Sequence, residues 1–73
     1  MTAQHPDIQF QIEVLSGQLV DMLMQERGIS MEQAMDVLYN SRTFEKVENP
    51  KTGLYYQSAP YVMDMLHEEQ QSF

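Results

Sequence analysis

The residues whose types and spacing come closest to a chemical site are Asp64, His67 and Glu68. In a helix, side chains three and four positions apart share one face, so these three groups can point in the same direction. Carboxylates and histidines on facing helices hold metal ions in helical bundles, which raises the hypothesis of a small metal-binding protein or a metal-dependent enzyme. One D-x-x-H pattern often arises by chance, and a solvated polar face is the simpler interpretation. We therefore assign no metal ligand.

The rest of the sequence offers no second pattern for catalysis. Ser30 and Ser58 are explained as helix caps, and no serine lies in a G-x-S-x-G turn. The glycines stand alone at positions 17, 28 and 53, so no phosphate-binding loop is present. The absence of cysteine excludes disulfides and thiolate zinc sites. We expect a protein that is not an enzyme and that has no cofactor.

The acidic net charge of the chain indicates which classes of molecule it can bind. Four Lys and Arg residues stand against 11 Asp and Glu, for a formal net charge of −7. Binding to nucleic acid depends on neutralising several phosphates, so we expect no nucleic-acid ligand, whereas a basic partner protein would suit this surface. Apolar runs are too short to cross a membrane, and the amino terminus lacks the basic-then-apolar pattern of a secretory signal. We expect a cytoplasmic protein that does not bind membranes.

The chain of 73 residues is predicted to form one domain, residues 1–73, with residues 1–5 and 70–73 frayed. A domain of this size buries only about 60% of the surface that its unfolded chain exposes, so it is marginally stable alone. Without disulfides or a structural metal, oligomerisation is the remaining common source of stability.

The longest periodic segment runs from Ile8 to Arg27 and predicts an amphipathic helix around which the other elements pack. At about 100° per residue, one apolar stripe falls on a single side and is expected to face the core. This stripe comprises Ile8, Ile12, Leu15, Leu19, Met22 and Leu23. Pro6 and Asp7 suit the first turn, and Gly28 suits the left-handed residue that ends the helix.

A second apolar stripe lies on roughly the opposite side of this helix. It comprises Phe10, Val14, Val20 and Met24 around Gly17. A glycine in a helix interior costs about 1 kcal/mol relative to alanine, but it lets another helix approach closely. A two-fold dimer buries such a patch against itself, so we expect a homodimer whose first helices cross near Gly17.

Local signals predict the remaining elements of a small, mainly α-helical domain. Ser30 and Gln33 form a capping box that begins a second helix, about residues 31–40, in a helical hairpin with the first. The core face of the second helix is expected to comprise Met31, Ala34, Met35 and Leu38. Ser58 and Pro60 begin a final helix that ends near Glu69. Its core face is expected to comprise Tyr61, Val62, Met65 and Leu66.

Residues 43–58 allow two interpretations. Ser41 or Thr43 can cap a short helix that Pro50 ends, followed by an extended segment at residues 54–57. The alternative is a β-hairpin that pairs residues 44–48 with 54–58. We favour the helix because Glu and Lys at positions 45 and 46 are poor strand formers. In the extended segment, Tyr55 and Tyr56 would face opposite sides and are candidate interface residues, or both cover the core.

The turn and cap residues resemble those of a family of short uncharacterised bacterial proteins. The similarity covers most of residues 8–69 and is carried by Gly28-Ile29-Ser30, Ala34, residues 51–58 and Tyr61. Members of that family have a long helix, a serine-capped helix, an extended segment and a final helix, and they are often encoded beside ADP-ribosyltransferase-like proteins thought to be toxins. The resemblance implies an antitoxin-like accessory protein with a basic or toxin-like protein partner. It carries over no catalytic residue.

Overall fold

A computed structural model describes residues 7–71, which form a small all-α domain. Four α-helices and two single-turn 3-10 helices follow one another in this part of the chain, which contains no strand. The α-helices are α1, Ile8–Arg27; α2, Met31–Tyr39; α3, Arg42–Glu48; and α4, Ala59–Gln71. The 3-10 turns, Pro50–Thr52 and Leu54–Tyr56, connect α3 to α4. The mainly α fold expected from the sequence is confirmed.

The ends of α1 follow from local capping chemistry. The Asp7 carboxylate accepts a hydrogen bond from the N–H of Phe10 at 3.3 Å, so Asp7 is the N-cap and not a residue of the first turn. Gly28 has φ +63°, and its N–H donates to the carbonyl of Met24 at 2.9 Å. This left-handed conformation strains residues that have a Cβ, and glycine ends the helix there as predicted. Pro6 and residues 1–5 lie outside the described residues.

Serine side chains begin the next three helices. The Ser30 hydroxyl accepts from the N–H of Gln33 at 3.1 Å, and the Gln33 side chain accepts from the N–H of Ser30 at 3.0 Å, so the predicted capping box is confirmed. Ser41 accepts from the N–H of Phe44 at 3.0 Å, and Ser58 accepts from the N–H of Tyr61 at 3.3 Å. Each hydroxyl satisfies an N–H group that has no partner within its helix.

Removal of either exposed cap is expected to destabilise the domain. Ser30→Ala and Ser58→Ala should each lower the free energy of unfolding by about 0.5–2 kcal/mol, because a backbone N–H loses its partner. Urea unfolding followed by circular dichroism measures the loss. Ser30→Asp, which replaces one good cap by another, serves as the control and should retain most of the stability. Unchanged midpoints in both alanine variants would contradict these helix starts.

The connection between α3 and α4 consists of two single 3-10 turns and contains no strand, which decides between the two interpretations of residues 43–58. Residues 42–48 form α3, so the β-hairpin alternative is wrong. The extended segment expected at residues 54–57 is also wrong, because Leu54–Tyr56 form a 3-10 turn. Gly53, at φ +71°, reverses the chain and places Leu54 in the core. The N–H of Gln57 then bonds back to the carbonyl of Leu54 at 3.0 Å, which closes the turn.

The core lies where α2, α4 and the second 3-10 turn pack against α1, and α3 packs against these three elements. Its largest fully buried side chains are Leu19, Leu23, Leu38, Val47, Val62 and Leu66. The predicted core stripe of α1 is confirmed at Ile12, Leu15, Leu19 and Leu23. Ile8 and Met22 are only half-buried at its edges.

The observed core faces of α2 and α4 are rotated about the helix axis relative to the predicted ones. On α2, Ala34 and Leu38 are buried, but Met31 and Met35 are exposed. On α4, Tyr61 is exposed and Met63 is buried in its place. Both corrections have one physical cause. Short helices with several apolar residues allow two plausible stripes, and the packing partner selects between them.

The carboxyl-terminal turn of α4 is held against the start of α3 by Glu69. Its carboxylate accepts hydrogen bonds from the N–H of Arg42 at 2.8 Å, the N–H of Thr43 at 2.9 Å and the hydroxyl of Thr43 at 2.7 Å. Because α4 continues through Gln71, the frayed tail expected from residue 70 is wrong for residues 70 and 71, and residues 72–73 lie outside the described part. Within residues 7–71, no helix combines the length and apolarity needed to cross a membrane.

Candidate functional site

A surface groove runs along α1, with α2 and α3 forming its opposite wall. On α1 it is lined from Gln9 to Met24, and the opposite wall presents Met31, Met35 and Tyr39. Phe44 and Glu48 of α3 also line it. At about 1.5 Å per residue, the α1 side of the groove is roughly 22 Å long, which is the length of four helical turns.

The walls of the groove expose large apolar side chains to solvent. The exposed fractions are 44% for Val14, 59% for Met31, 36% for Met35 and 46% for Tyr39. These residues belong to two helices and line one groove, so they form a contiguous patch and not scattered surface residues. Such patches are typical of interaction sites, and methionines adapt their shape to different partners.

The floor of the groove contains Gly17 at the middle of α1. A Cβ atom added to this residue would meet no described atom within 4 Å, apart from its own helix backbone and chain neighbours. The neighbouring Ser16 is buried, and its hydroxyl donates to the carbonyl of Ile12 at 2.6 Å, so it projects no free polar group into the groove. Because Gly17 is exposed and has no side chain, the backbone of α1 is accessible from outside at this residue.

The charged residues that line the groove are all acidic. Glu13 and Asp21 lie four residues to either side of Gly17, and Glu48 lies on α3 across the groove. No lysine or arginine among residues 7–71 lines it. The groove therefore combines an apolar centre with a negatively charged rim.

The sequence-predicted stripe on α1 is only partly in this groove. Val14 and Gly17 are exposed in it, as predicted, and Met24 lines it while half-buried. Phe10 is 61% exposed and lies one turn before Val14, but its side chain does not line the groove. Val20 is only 8% exposed, so its assignment to an exposed stripe is wrong: packing within the chain already covers it.

Tyr55 and Tyr56 do not join the groove. Their ring centroids are 5.2 Å apart in an edge-to-face arrangement within the second 3-10 turn. Tyr55 packs partly against the core, whereas Tyr56 is 66% exposed. These two residues therefore do not extend the apolar surface formed by α1 and α2.

The contribution of α2 to the groove was not predicted from the sequence. Met31, Met35 and Tyr39 follow one another at four-residue spacing and point outward together. Ala34 and Leu38, which share the predicted core face with the two methionines, are buried, and so is Ser41 after the end of α2. The spacing of these residues does not show which part of that face the core covers, so the packing partner decides it.

The polar face near the end of α4 does not form a metal site in the described part of the chain. No group of three or more histidine, aspartate or glutamate side chains is arranged to hold a metal ion there. Nε2 of His67 instead lies 2.9 Å from the Glu26 carboxylate of α1, and Arg27 donates to the side chain of Gln70 beside it. These contacts join the ends of α1 and α4.

We expect metal ions to leave the stability of the protein unchanged. Addition of Zn²⁺, Mn²⁺ or Fe²⁺ should not shift the melting temperature, because only binding to the folded state raises it by mass action. Differential scanning fluorimetry with and without metal measures this. A reproducible rise in the wild type that His67→Ala abolishes would contradict the expectation and restore the metal hypothesis for Asp64, His67 and Glu68.

Comparisons with known proteins do not add to this geometry: no protein-family model, curated protein or solved structure matches the chain.

Proposed function

We propose that this protein is a non-enzymatic interaction module that binds a helix of a partner protein in the groove between α1 and α2. The observation that carries the proposal is Gly17. A glycine in a helix interior costs about 1 kcal/mol relative to alanine, and here no tertiary contact requires it. A close approach by a partner would explain the residue, because only glycine brings the helix backbone to the groove surface.

The walls on either side of Gly17 support the same proposal. Val14 on α1, with Met31, Met35 and Tyr39 at four-residue spacing on α2, provide exposed apolar side chains between which those of a third helix can pack. An added strand is a poorer occupant, because residues 7–71 contain no strand whose edge it could extend. The antitoxin-like accessory role implied by the sequence resemblance is compatible with such a module and stays a prediction.

Substitutions of Gly17 distinguish the effect of this residue on stability from its effect on partner binding. Because a Cβ meets open space, Gly17→Ala should raise the free energy of unfolding by about 0.5–1 kcal/mol. Gly17→Leu should also fold, since its side chain points into the groove, and it should fill the space that a partner helix needs. Urea unfolding of both variants measures the first effect.

The binding test uses a displayed library of helical peptides. In each peptide, the positions on the helix face that would enter the groove vary among apolar residues. The positions on either side of that face vary among lysine, glutamine and glutamate. We expect independently selected binders to lose about tenfold or more in affinity for Gly17→Leu, because the filled groove blocks a central contact. The same binders should retain affinity for Gln57→Leu, which adds a leucine at an exposed position outside the groove. Equal affinity for both variants, or no enriched binder, would overturn the proposal.

A further inference from the structure

We infer that the occupant of the groove is a cationic amphipathic helix, with an apolar stripe flanked by lysine or arginine. This inference rests on the proposed function and specifies its partner. Its basis is charge complementarity: the lining residues that carry charge, Glu13, Asp21 and Glu48, are all negative. Charge pairs at the rim of an interface set which partners associate and how fast.

The spacing of the acidic residues indicates where the cations of the partner lie. Glu13 and Asp21 are eight residues apart on α1, or about 12 Å at the helical rise. A partner helix that crosses at Gly17 therefore meets one carboxylate on each side of the crossing point. Lysines or arginines seven or eight residues apart on the partner would reach both, with apolar residues between them to contact Val14 and the α2 methionines.

A second copy of this chain is a poorer occupant of the same groove. In an antiparallel two-fold crossing at Gly17, Glu13 of one copy comes near Asp21 of the other, and in a parallel crossing each of these residues comes near its own counterpart. Both are acidic, and the chains each carry a net charge of −7. Like charges brought together at an interface weaken association, whereas a cationic helix replaces that repulsion by attraction.

The flanking positions of the selected peptides test the inference. We expect the enriched peptides to carry lysine at these positions. For the best apolar stripe, the lysine peptide should bind the wild type about tenfold more tightly than its glutamine version, with the glutamate version weaker still. Fluorescence anisotropy at low and high salt measures the affinities, and the preference should shrink as salt screens the charges.

Two variants distinguish binding in the groove from non-specific electrostatic attraction of a cationic peptide to an acidic protein. Gly17→Leu keeps every charge, so a purely non-specific cationic peptide would bind it as well as the wild type, and that result would overturn the inference. A triple variant, Glu13→Gln with Asp21→Asn and Glu48→Gln, keeps the apolar groove. The affinities of this triple variant for the lysine peptide and the glutamine peptide should differ by no more than about threefold, because the three carboxylates cause the preference for lysine.

The remaining outcomes are distinguishable. Groove-dependent binders that carry glutamine or glutamate as often as lysine would overturn the cationic partner but leave the proposed function standing. If no selected peptide loses affinity for Gly17→Leu, both the proposed function and the cationic partner are overturned. A wild-type protein that is dimeric by light scattering at micromolar concentration, and that Gly17→Leu converts to monomer, would identify a second copy as the occupant and overturn the inference.

Discussion

Leu19→Ala is expected to lower the free energy of unfolding by about 2–5 kcal/mol, because it removes buried methyl groups and leaves a cavity. Leu19 lies near the middle of α1 and is fully buried in the core. A domain of 73 residues has a total stability of roughly 4–11 kcal/mol at the usual value per residue, so one substitution would remove much of it. Urea unfolding followed by circular dichroism measures the loss.

A matched pair of valines tests the orientation of α1 at the same time. Val20 is 8% exposed and Val14 is 44% exposed, one on each side of Gly17. Val20→Ala should therefore destabilise the domain clearly more than Val14→Ala, because only the buried side chain leaves a cavity. Equal losses would mean that α1 is rotated relative to this structure, and the groove at Gly17 would then not exist as described.

Glu69→Ala is expected to lower the free energy of unfolding by about 1–3 kcal/mol, because it leaves a buried backbone N–H without its partner. Thr43 is only 3% exposed, and both its N–H and its hydroxyl donate to the Glu69 carboxylate. Asp64→Ala, at an exposed position on the same helix, serves as the control and should change stability little. An equal effect of the two substitutions would show that this link between α4 and α3 contributes nothing.

The same carboxylate should make stability depend on pH. Burial raises the pKa of Glu69, but the hydrogen bonds from Arg42 and Thr43 and the positive charge of Arg42 outweigh it, so its pKa lies below the usual value of 4.5. A folded-state pKa below the unfolded one means that the stabilisation is complete above the unfolded pKa. It is lost as pH falls from about 4.5 through the folded pKa.

Glu69→Gln tests this pH dependence directly. It removes the titrating group, so its stability should fall less steeply than that of the wild type below about pH 4.5. Urea midpoints at several pH values from 3 to 7 measure the difference. Parallel curves for the two proteins would contradict the lowered pKa.

The beginnings and ends of the helices were predictable from the sequence because the groups that decide them lie within four residues of one another. Ser30 caps through the N–H of Gln33, and Ser58 caps through that of Tyr61. Gly28 ends α1 through the carbonyl of Met24. Such interactions form wherever the local residues occur, so the sequence alone determined a mainly α-helical chain with short helices around one long helix.

How far around each helix the buried surface extends was decided only by the tertiary structure. Val20 and Val14 belong to one predicted apolar stripe, and Met31 and Leu38 to another, yet in each pair one residue is buried and the other is exposed. Local spacing cannot distinguish them, because burial depends on where residues distant in the chain pack. For the same reason the sequence did not predict the Glu69 link, whose donors are 26 and 27 residues away. The groove and its acidic rim exist only because α2 packs against α1 and α3 against α2, so that side chains of all three helices line one groove and leave Gly17 uncovered.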